Sequence, residues 1–124
     1  MKKILIVEDE QLIADLVQRK LQDEGYYAFV ARDGEEAVKQ IREGRPDLIL
    51  LDIVLPRLNG FGVLAEIQKD EELKLIPVII ISNSGQPEEI ERAKAAGVRD
   101  WLVKTEFDPK EVLEKVRRQI GPAQ

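Results

Sequence analysis

The 124-residue sequence contains neither cysteine nor histidine. Without cysteine, the protein can form no disulfide, no thiolate zinc site and no cysteine nucleophile. Without histidine, it can build no Ser-His-Asp triad and no imidazole general base, and nearly all zinc and non-haem iron sites are excluded. Any chemistry must therefore use carboxylates, lysine, hydroxyl groups or a hard metal ion bound through oxygen.

Long hydrophobic runs are also missing. No uninterrupted apolar stretch approaches the roughly 18 residues that a membrane-spanning helix requires. The apolar run at residues 4–7 stops at Glu8, so the segment after Met1 is too short to be a signal peptide. We therefore expect a cytoplasmic protein that does not contact a membrane.

Positive charge is in the minority. The 19 lysines and arginines are outnumbered by 24 aspartates and glutamates, which leaves a net charge of −5. A surface that binds the phosphates of nucleic acid is usually basic, so we expect no direct binding to nucleic acid. The length suits one domain, and we expect residues 1–124 to form it, with a core of about 2–120.

Short apolar runs alternate with segments of helical period. The runs at residues 4–7, 48–51, 78–81 and 101–103 are continuous, which is typical of strands buried on both faces of a parallel sheet. Residues 27–30 form a fifth, weaker candidate. Each interval carries an apolar stripe that we expect to face the core. The stripes are Leu12, Ile13, Leu16, Val17 and Leu21; Ala37, Val38 and Ile41; Val63, Leu64 and Ile67; Ile90, Ala93 and Ala96; and Val112, Leu113, Val116 and Ile120.

Helix boundary signals agree with these intervals. Asp33, with Glu35 and Glu36 two and three residues after it, resembles a capping box and predicts the start of the second helix, and Gly44 predicts its end. Pro87 and Gly97 bound the fourth helix in the same way, and Asp108 precedes a proline where the last helix should begin. Five alternations of strand and helix predict a doubly wound α/β sheet with right-handed crossovers.

Polar groups follow four of the five predicted strands. Glu8 and Asp9 follow the first strand, Asp52 the third, Ser82 the fourth and Lys104 the fifth. Any one of them alone is most often a solvated loop residue or a helix cap. In an open α/β sheet, however, ligands bind beyond the carboxyl ends of the strands, so the combination predicts a site at that edge.

The combination favours one kind of chemistry. Three carboxylates facing one lysine repel one another unless a cation joins them, and oxygen ligands favour Mg²⁺. A carboxylate can be a nucleophile toward phosphorus, while Lys104 and the Ser82 hydroxyl would hold phosphoryl oxygens. The residues predict a Mg²⁺-dependent phosphoryl acceptor.

Five segments, in order, carry a family resemblance. They are ILIVEDE (residues 4–10), PDLILLD (46–52), LP and NG (55–56 and 59–60), PVIIIS (77–82), and AAG followed by WLVK (95–97 and 101–104). With these segments the chain resembles the receiver domain of two-component response regulators over about residues 2–120. The resemblance implies a flavodoxin-like (β/α)5 fold with strand order 2-1-3-4-5.

The resemblance also implies roles for single residues. Asp52 matches the aspartate that takes a phosphoryl group from a histidine kinase or phosphotransfer protein. Mg²⁺ would be held by Glu8, Asp9, Asp52 and the backbone carbonyl of Val54. Lys104 and Ser82 match the groups that hold the phosphoryl oxygens, and Trp101 falls at the aromatic switch position. The alternative for Trp101 is an ordinary core or rim aromatic with no switching role.

The implied protein is a phosphorylation-controlled switch. Such a chain is no enzyme beyond self-phosphorylation from small donors and self-dephosphorylation. A downstream protein would read the fourth helix, fifth strand and last helix, and the chain would be a monomer or a phosphorylation-dependent dimer. Three alternatives are a Mg²⁺-dependent phosphohydrolase with an aspartyl phosphate, a pseudo-receiver that binds without being phosphorylated, and, more distantly, a flavin-binding protein of the same fold class.

Overall fold

Strand and helix alternate along the whole described chain. The computed structural model describes residues 1–83, 86–105 and 108–123. The elements are β1 (Lys3–Val7), α1 (Gln11–Asp23), β2 (Tyr27–Ala31), α2 (Gly34–Gly44), β3 (Leu48–Leu51), α3 (Gly60–Gln68), a 3₁₀ turn (Leu73–Leu75), β4 (Val78–Ser82), α4 (Pro87–Ala95), β5 (Asp100–Val103) and α5 (Pro109–Ile120). The five predicted strands and five predicted helices are confirmed.

The five strands form one parallel sheet in the order β2-β1-β3-β4-β5. The order confirms the one implied by the family resemblance. Val7 at the end of β1 lies opposite Leu51 at the end of β3 and Ala31 at the end of β2. The carboxyl ends of these strands are therefore level with one another, so the residues that follow them emerge side by side.

Each face of the sheet is covered by helices. Leu5 and Val7 of β1 belong to a core shared with α2, α3 and α4, whereas Ile4 and Ile6 belong to a core shared with α1 and α5. This alternation between two buried faces explains why the strands are continuously apolar. Among the described residues, none of the helices combines the length and the apolar character needed to cross a membrane.

The predicted core face of α1 is wrong in two positions. Leu12 and Leu16 are 83% and 48% exposed, whereas the buried residues of the helix are Ala14, Val17 and Leu21. Positions 14, 17 and 21 follow one stripe of the 3.6-residue period, and positions 12 and 16 lie one turn apart on another stripe. The small side chain of Ala14 gave a weaker apolar signal than the two leucines, although it is buried and they are exposed.

The helix ends follow their local signals with one correction. The Asp33 carboxylate accepts a hydrogen bond from the Glu36 N–H at 2.8 Å, as a helix cap should. Gly44 is the last helical residue of α2, but the left-handed residue that ends the helix is Arg45, with φ of 43°. The N–H of Arg45 still bonds to the Ile41 carbonyl at 3.0 Å, so the final turn closes one residue later than predicted.

Candidate functional site

Backbone hydrogen bonding carries three predicted site residues to one edge of the sheet. Glu8, Asp52 and Lys104 each directly follow a strand, and each donates its N–H to the last carbonyl of a neighbouring strand. The donor–acceptor distances are 3.0 Å for Glu8 and Asp52 and 2.7 Å for Lys104. Because the ladder runs one residue past the strands, these residues are held as firmly as strand residues, and their side chains converge.

The convergence produces a buried ion cluster. The Lys104 Nζ lies 2.8 Å from the Glu8 carboxylate and 2.7 Å from Oδ2 of Asp52. The three side chains are only 3–4% exposed. A buried charge is tolerated when it is paired and hydrogen-bonded, and here one ammonium serves two carboxylates.

The electrostatics of the cluster follow from its burial and its charges. Burial raises the pKa of Glu8 to about 7, and the charge of Asp52 adds to this rise while hydrogen bonds from Lys104 and the Glu10 N–H oppose it. Burial alone would lower the pKa of Lys104, but the hydrogen bonds and charges of Asp52 and Glu8 outweigh it, so this pKa is raised. Lys104 is therefore a firmly charged ammonium.

Three carboxylates at this edge could hold a metal ion. Glu8, Asp9 and Asp52 each offer an oxygen atom, and these atoms lie within 4.8 Å of one another. Glu8 and Asp52 are buried and Asp9 is exposed, so the group opens toward solvent on one side. The donor set consists of oxygen alone and carries more negative charge than Lys104 can balance, which fits a hard divalent ion such as Mg²⁺.

The loop after β3 also contacts the cluster. The Val54 N–H donates to Oδ1 of Asp52 at 3.3 Å, so the two oxygens of Asp52 have different partners. The side chain of Val54 is exposed and does not contribute to the core. Only the backbone of Val54 therefore contacts the site. The group in contact is its N–H, whereas the group expected to hold Mg²⁺ is its carbonyl.

The two predicted switch residues lie on one face of the sheet. Ser82 is buried at the end of β4, and Trp101 lies opposite Ile80 in β5. Ile80 and Ser82 are two residues apart and so point to the same face, where Trp101 packs against the core shared with α4. A cavity of about 270 Å³ adjoins Trp101 and is lined further by Ile90, Ala93, Lys94, Val98, Arg99 and Asp100.

Two residues of the site were not predicted. The Glu10 carboxylate lies 3.5 Å from the Lys104 Nζ and is half exposed. Arg32 directly follows β2 and donates from Nη2 to the Asp9 carbonyl at 3.0 Å. Arg32 could have been found with the rule used for the other strands, because it is the first polar residue after the weaker apolar run at residues 27–30, which forms most of β2. With it, every strand delivers a polar group to this edge.

Comparisons with known proteins identify the family. The family model for the response regulator receiver domain matches residues 4–117. The phosphate regulon transcriptional regulatory protein PhoB of Escherichia coli is 34% identical over 124 residues, with 98% of this chain and 54% of the relative covered. The DNA-binding regulator RpaA of Synechocystis is 37% identical over 117 residues, with 94% and 48% covered. The chain thus spans about half the length of the curated relatives it matches.

Solved structures agree with these relatives. The chemotaxis protein CheY4 of Vibrio cholerae superposes with a TM-score of 0.89 at 33% identity, covering 96% of this chain and 98% of that one. The receiver domain of sensor histidine kinase PA1611 of Pseudomonas aeruginosa has a TM-score of 0.87 at 31% identity, with 97% and 98% covered. That structure holds a magnesium ion coordinated in its active-site cleft.

The chain belongs to the response regulator receiver domain family of two-component signalling. The curated relatives named above, PhoB and RpaA, are transcriptional regulators. The flavodoxin-like fold and the family predicted from the sequence are both confirmed.

Proposed function

We propose that Asp52 accepts a phosphoryl group in a Mg²⁺-dependent reaction and that the resulting change is read through contacts with other proteins. The observation that carries this proposal is the buried Asp52 carboxylate, which Lys104 contacts at 2.7 Å beside the acidic pair Glu8 and Asp9. The donor would be a histidine kinase or a phosphotransfer protein, as for the family.

The reaction needs a carboxylate oxygen aimed at phosphorus. An oxygen of Asp52 attacks the phosphorus atom of a phosphohistidine, and an O–P bond forms while the P–N bond breaks. The imidazole leaves with the bonding electron pair and takes up a proton from solvent. Lys104 and the Ser82 hydroxyl lie at the same edge, where they would stabilise the charge of the transferred phosphoryl oxygens.

The carboxylates of Glu8, Asp9 and Asp52, with the Val54 carbonyl, are the groups that would hold Mg²⁺. When bound, Mg²⁺ supplies positive charge that neutralises phosphoryl oxygens. The role of the chain itself is to hold these oxygens in place, and the N–H bonds of Glu8 and Asp52 to neighbouring strands support that role.

The readout is proposed to run through Ser82 and Trp101. A phosphoryl group on Asp52 would attract the Ser82 hydroxyl, and Trp101 would repack on the same face of the sheet. The partly exposed indole and the neighbouring cavity support this proposal, since the ring has room to change its position. A protein partner would then contact the surface made by α4, β5 and α5.

We further propose that residues 1–124 form one domain, with a core of about 2–120. The protein would act in the cytoplasm as a monomer or a phosphorylation-dependent dimer, and would bind neither nucleic acid nor membrane. Its net charge of −5 supports contacts with protein rather than with nucleic acid.

Acetyl phosphate or phosphoramidate with Mg²⁺, read by intact mass, tests the proposed function. The wild type should gain the mass of one phosphoryl group, and Asp52→Asn should gain none. Asp47→Asn is the matched control, because Asp47 is an exposed aspartate just before the opposite end of β3, and this variant should be labelled like the wild type. Absence of labelling in the wild type would favour the pseudo-receiver, and labelling of Asp52→Asn would exclude Asp52 as the acceptor.

A further inference from the structure

The loop between β3 and α3, residues 52–59, docks on the beginning of α2. A Cβ atom on Gly34 would lie 1.8 Å from the Leu58 carbonyl oxygen and 2.6 Å from the carbonyl carbon. Real Cβ atoms essentially never approach other atoms closer than 3.0 Å, so this arrangement requires glycine at position 34. The Gly34 N–H also points at the loop and donates to the Pro56 carbonyl at 3.4 Å.

Arg57 adds a second link between the same two segments. Its guanidinium lies 3.6 Å from Asp33 Oδ2 and 3.9 Å from Glu35 Oε1, one on each side of Gly34. Arg57 also adopts a φ of 69°, which is unusual for a residue other than glycine. The loop is therefore bent so that its backbone approaches Gly34, while the Arg57 guanidinium approaches the acid that caps α2 and one acid in its first turn.

The loop connects this docking point to the candidate site. The Val54 N–H donates to Asp52 Oδ1, and the Gly60 N–H closes the base of the loop on the Ile53 carbonyl at 2.8 Å. Because only residues 55–57 separate Leu58 from Val54, we expect a displacement of the Leu58 backbone to reach Val54. The contact with α2 thus helps to set where the Val54 backbone meets the Asp52 carboxylate.

We propose that Gly34 is a positioning residue for the site, because its missing side chain lets the loop dock on α2 and so fixes Val54 and one oxygen of Asp52. The effect on Mg²⁺ rests on the proposed function, whereas the effect on Val54 does not. Groups that position metal ligands typically change metal affinity by about 10–100-fold when they are altered.

The test compares two glycines that face the same leucine. In Gly34→Ala, the new Cβ meets the Leu58 backbone, and the loop must retreat by about 1 Å. In Gly62→Ala, the new Cβ meets only the Leu58 side chain, at 2.4 Å from Cδ1 and 2.9 Å from Cγ, so the side chain must rotate but the Leu58 backbone is not touched. Both substitutions introduce the same methyl group near the same residue, so the difference isolates the backbone contact.

Two measurements are made on each variant. In the protein without Mg²⁺, the Val54 amide resonance should move from its wild-type position in Gly34→Ala and stay near it in Gly62→Ala. In a Mg²⁺ titration, Gly34→Ala should bind at least about tenfold more weakly than the wild type, and Gly62→Ala within about twofold. If the wild type binds no Mg²⁺, the proposed function fails, but the Val54 resonance still tests the role of Gly34.

Equal Val54 resonances in the wild type and Gly34→Ala would overturn the proposal, as would equal shifts in the two alanine variants. Should Gly34→Ala not fold, Arg57→Asn tests the same junction without a clash, because asparagine tolerates a positive φ and lacks the charge. It should move the Val54 resonance in the same direction and weaken Mg²⁺ binding by about twofold to fivefold. An unchanged Val54 resonance in Arg57→Asn would then overturn the proposal.

Discussion

The Lys104 Nζ lies 2.7 Å from Oδ2 of Asp52, although the strands that end at these residues are separated in the sheet by β4. The lysine side chain therefore reaches across the end of β4 to the residue after β3, and it also contacts Glu8 after β1. A single ammonium links the ends of three strands. The same contact places a positive charge beside the carboxylate that we propose as the nucleophile.

Removal of the Lys104 charge should destabilise the metal-free protein. Lys104→Met leaves two buried carboxylates without their cation, which typically costs about 3–5 kcal/mol of unfolding free energy. Lys115→Met is the control, because the ion pair of Lys115 with Asp100 is partly exposed and should contribute about 1 kcal/mol or less. Urea unfolding at pH 8 with a chelator measures both. A loss below about 1 kcal/mol for Lys104→Met would show that the cluster is not held by this contact.

Mg²⁺ should stabilise the folded protein, because the folded state gathers the three carboxylates and the unfolded chain does not. At about 100 times its dissociation constant, the ion should add roughly 2.7 kcal/mol to the unfolding free energy. Asp9→Asn should reduce this gain to below about 1 kcal/mol at the same concentration, while Asp23→Asn, at the far end of α1, should leave it unchanged. Thermal unfolding with and without Mg²⁺ provides the measurement, and identical curves would argue against the metal site.

The raised pKa of Glu8 predicts a pH dependence of stability in the absence of Mg²⁺. A carboxyl whose pKa is about 7 in the folded state and 4.5 in the unfolded state keeps its proton to a higher pH when the protein is folded. The unfolding free energy therefore falls as the pH rises from about 4.5 to about 7. The charged groups around Glu8 are Asp9, Asp52 and Lys104, and Glu10 contacts it through its N–H.

Comparison with Glu8→Gln isolates this group, because glutamine stays neutral. Between pH 5 and pH 8, the wild type should lose about 2–3 kcal/mol more unfolding free energy than Glu8→Gln does. Urea titrations at several pH values with a chelator give the two profiles. Parallel profiles would show that Glu8 titrates near its ordinary pKa.

Trp101 is the only tryptophan and can report on the proposed switch. Beryllofluoride with Mg²⁺ mimics a phosphoryl group on Asp52, and we expect it to shift the emission of Trp101 because the indole changes its exposure beside the cavity. Ser82→Ala should reduce the shift, since the hydroxyl that follows the phosphoryl group is gone. If beryllofluoride leaves the Trp101 emission unchanged in a protein that can still be phosphorylated, Trp101 has no part in the mechanism.

The fold and the centre of the site could be predicted because their signals are local. Glu8, Asp52 and Lys104 each directly follow an apolar strand, and parallel strands align their carboxyl ends, so the sequence places all three at one edge of the sheet. How near they come to one another depends on the strand order, which only the family resemblance implied. The face of α1 was harder, because Leu12 and Ala14 are both apolar and the sequence does not say which stripe meets the sheet.

Two contacts between distant segments, those of Gly34 and Arg32, were not predicted from the sequence. The sequence around Gly34 indicates only the start of a helix. Its approach to the Leu58 backbone depends on how the start of α2 and the β3–α3 loop lie against each other in the folded protein. Arg32 follows the weakest of the five strand signals, and its bond to the Asp9 carbonyl depends on the pairing of β1 with β2. No periodicity or motif encodes such contacts.

Identification of the phosphorylated residue tests the central claim most directly. Borohydride reduces an aspartyl phosphate to homoserine, so labelling with phosphoramidate and Mg²⁺, followed by reduction and peptide mass spectrometry, marks the acceptor. We predict homoserine at position 52 and nowhere else, and only when both donor and Mg²⁺ are present. Homoserine at another aspartate, or its absence from position 52 in protein whose intact mass shows a phosphoryl group, would contradict the account.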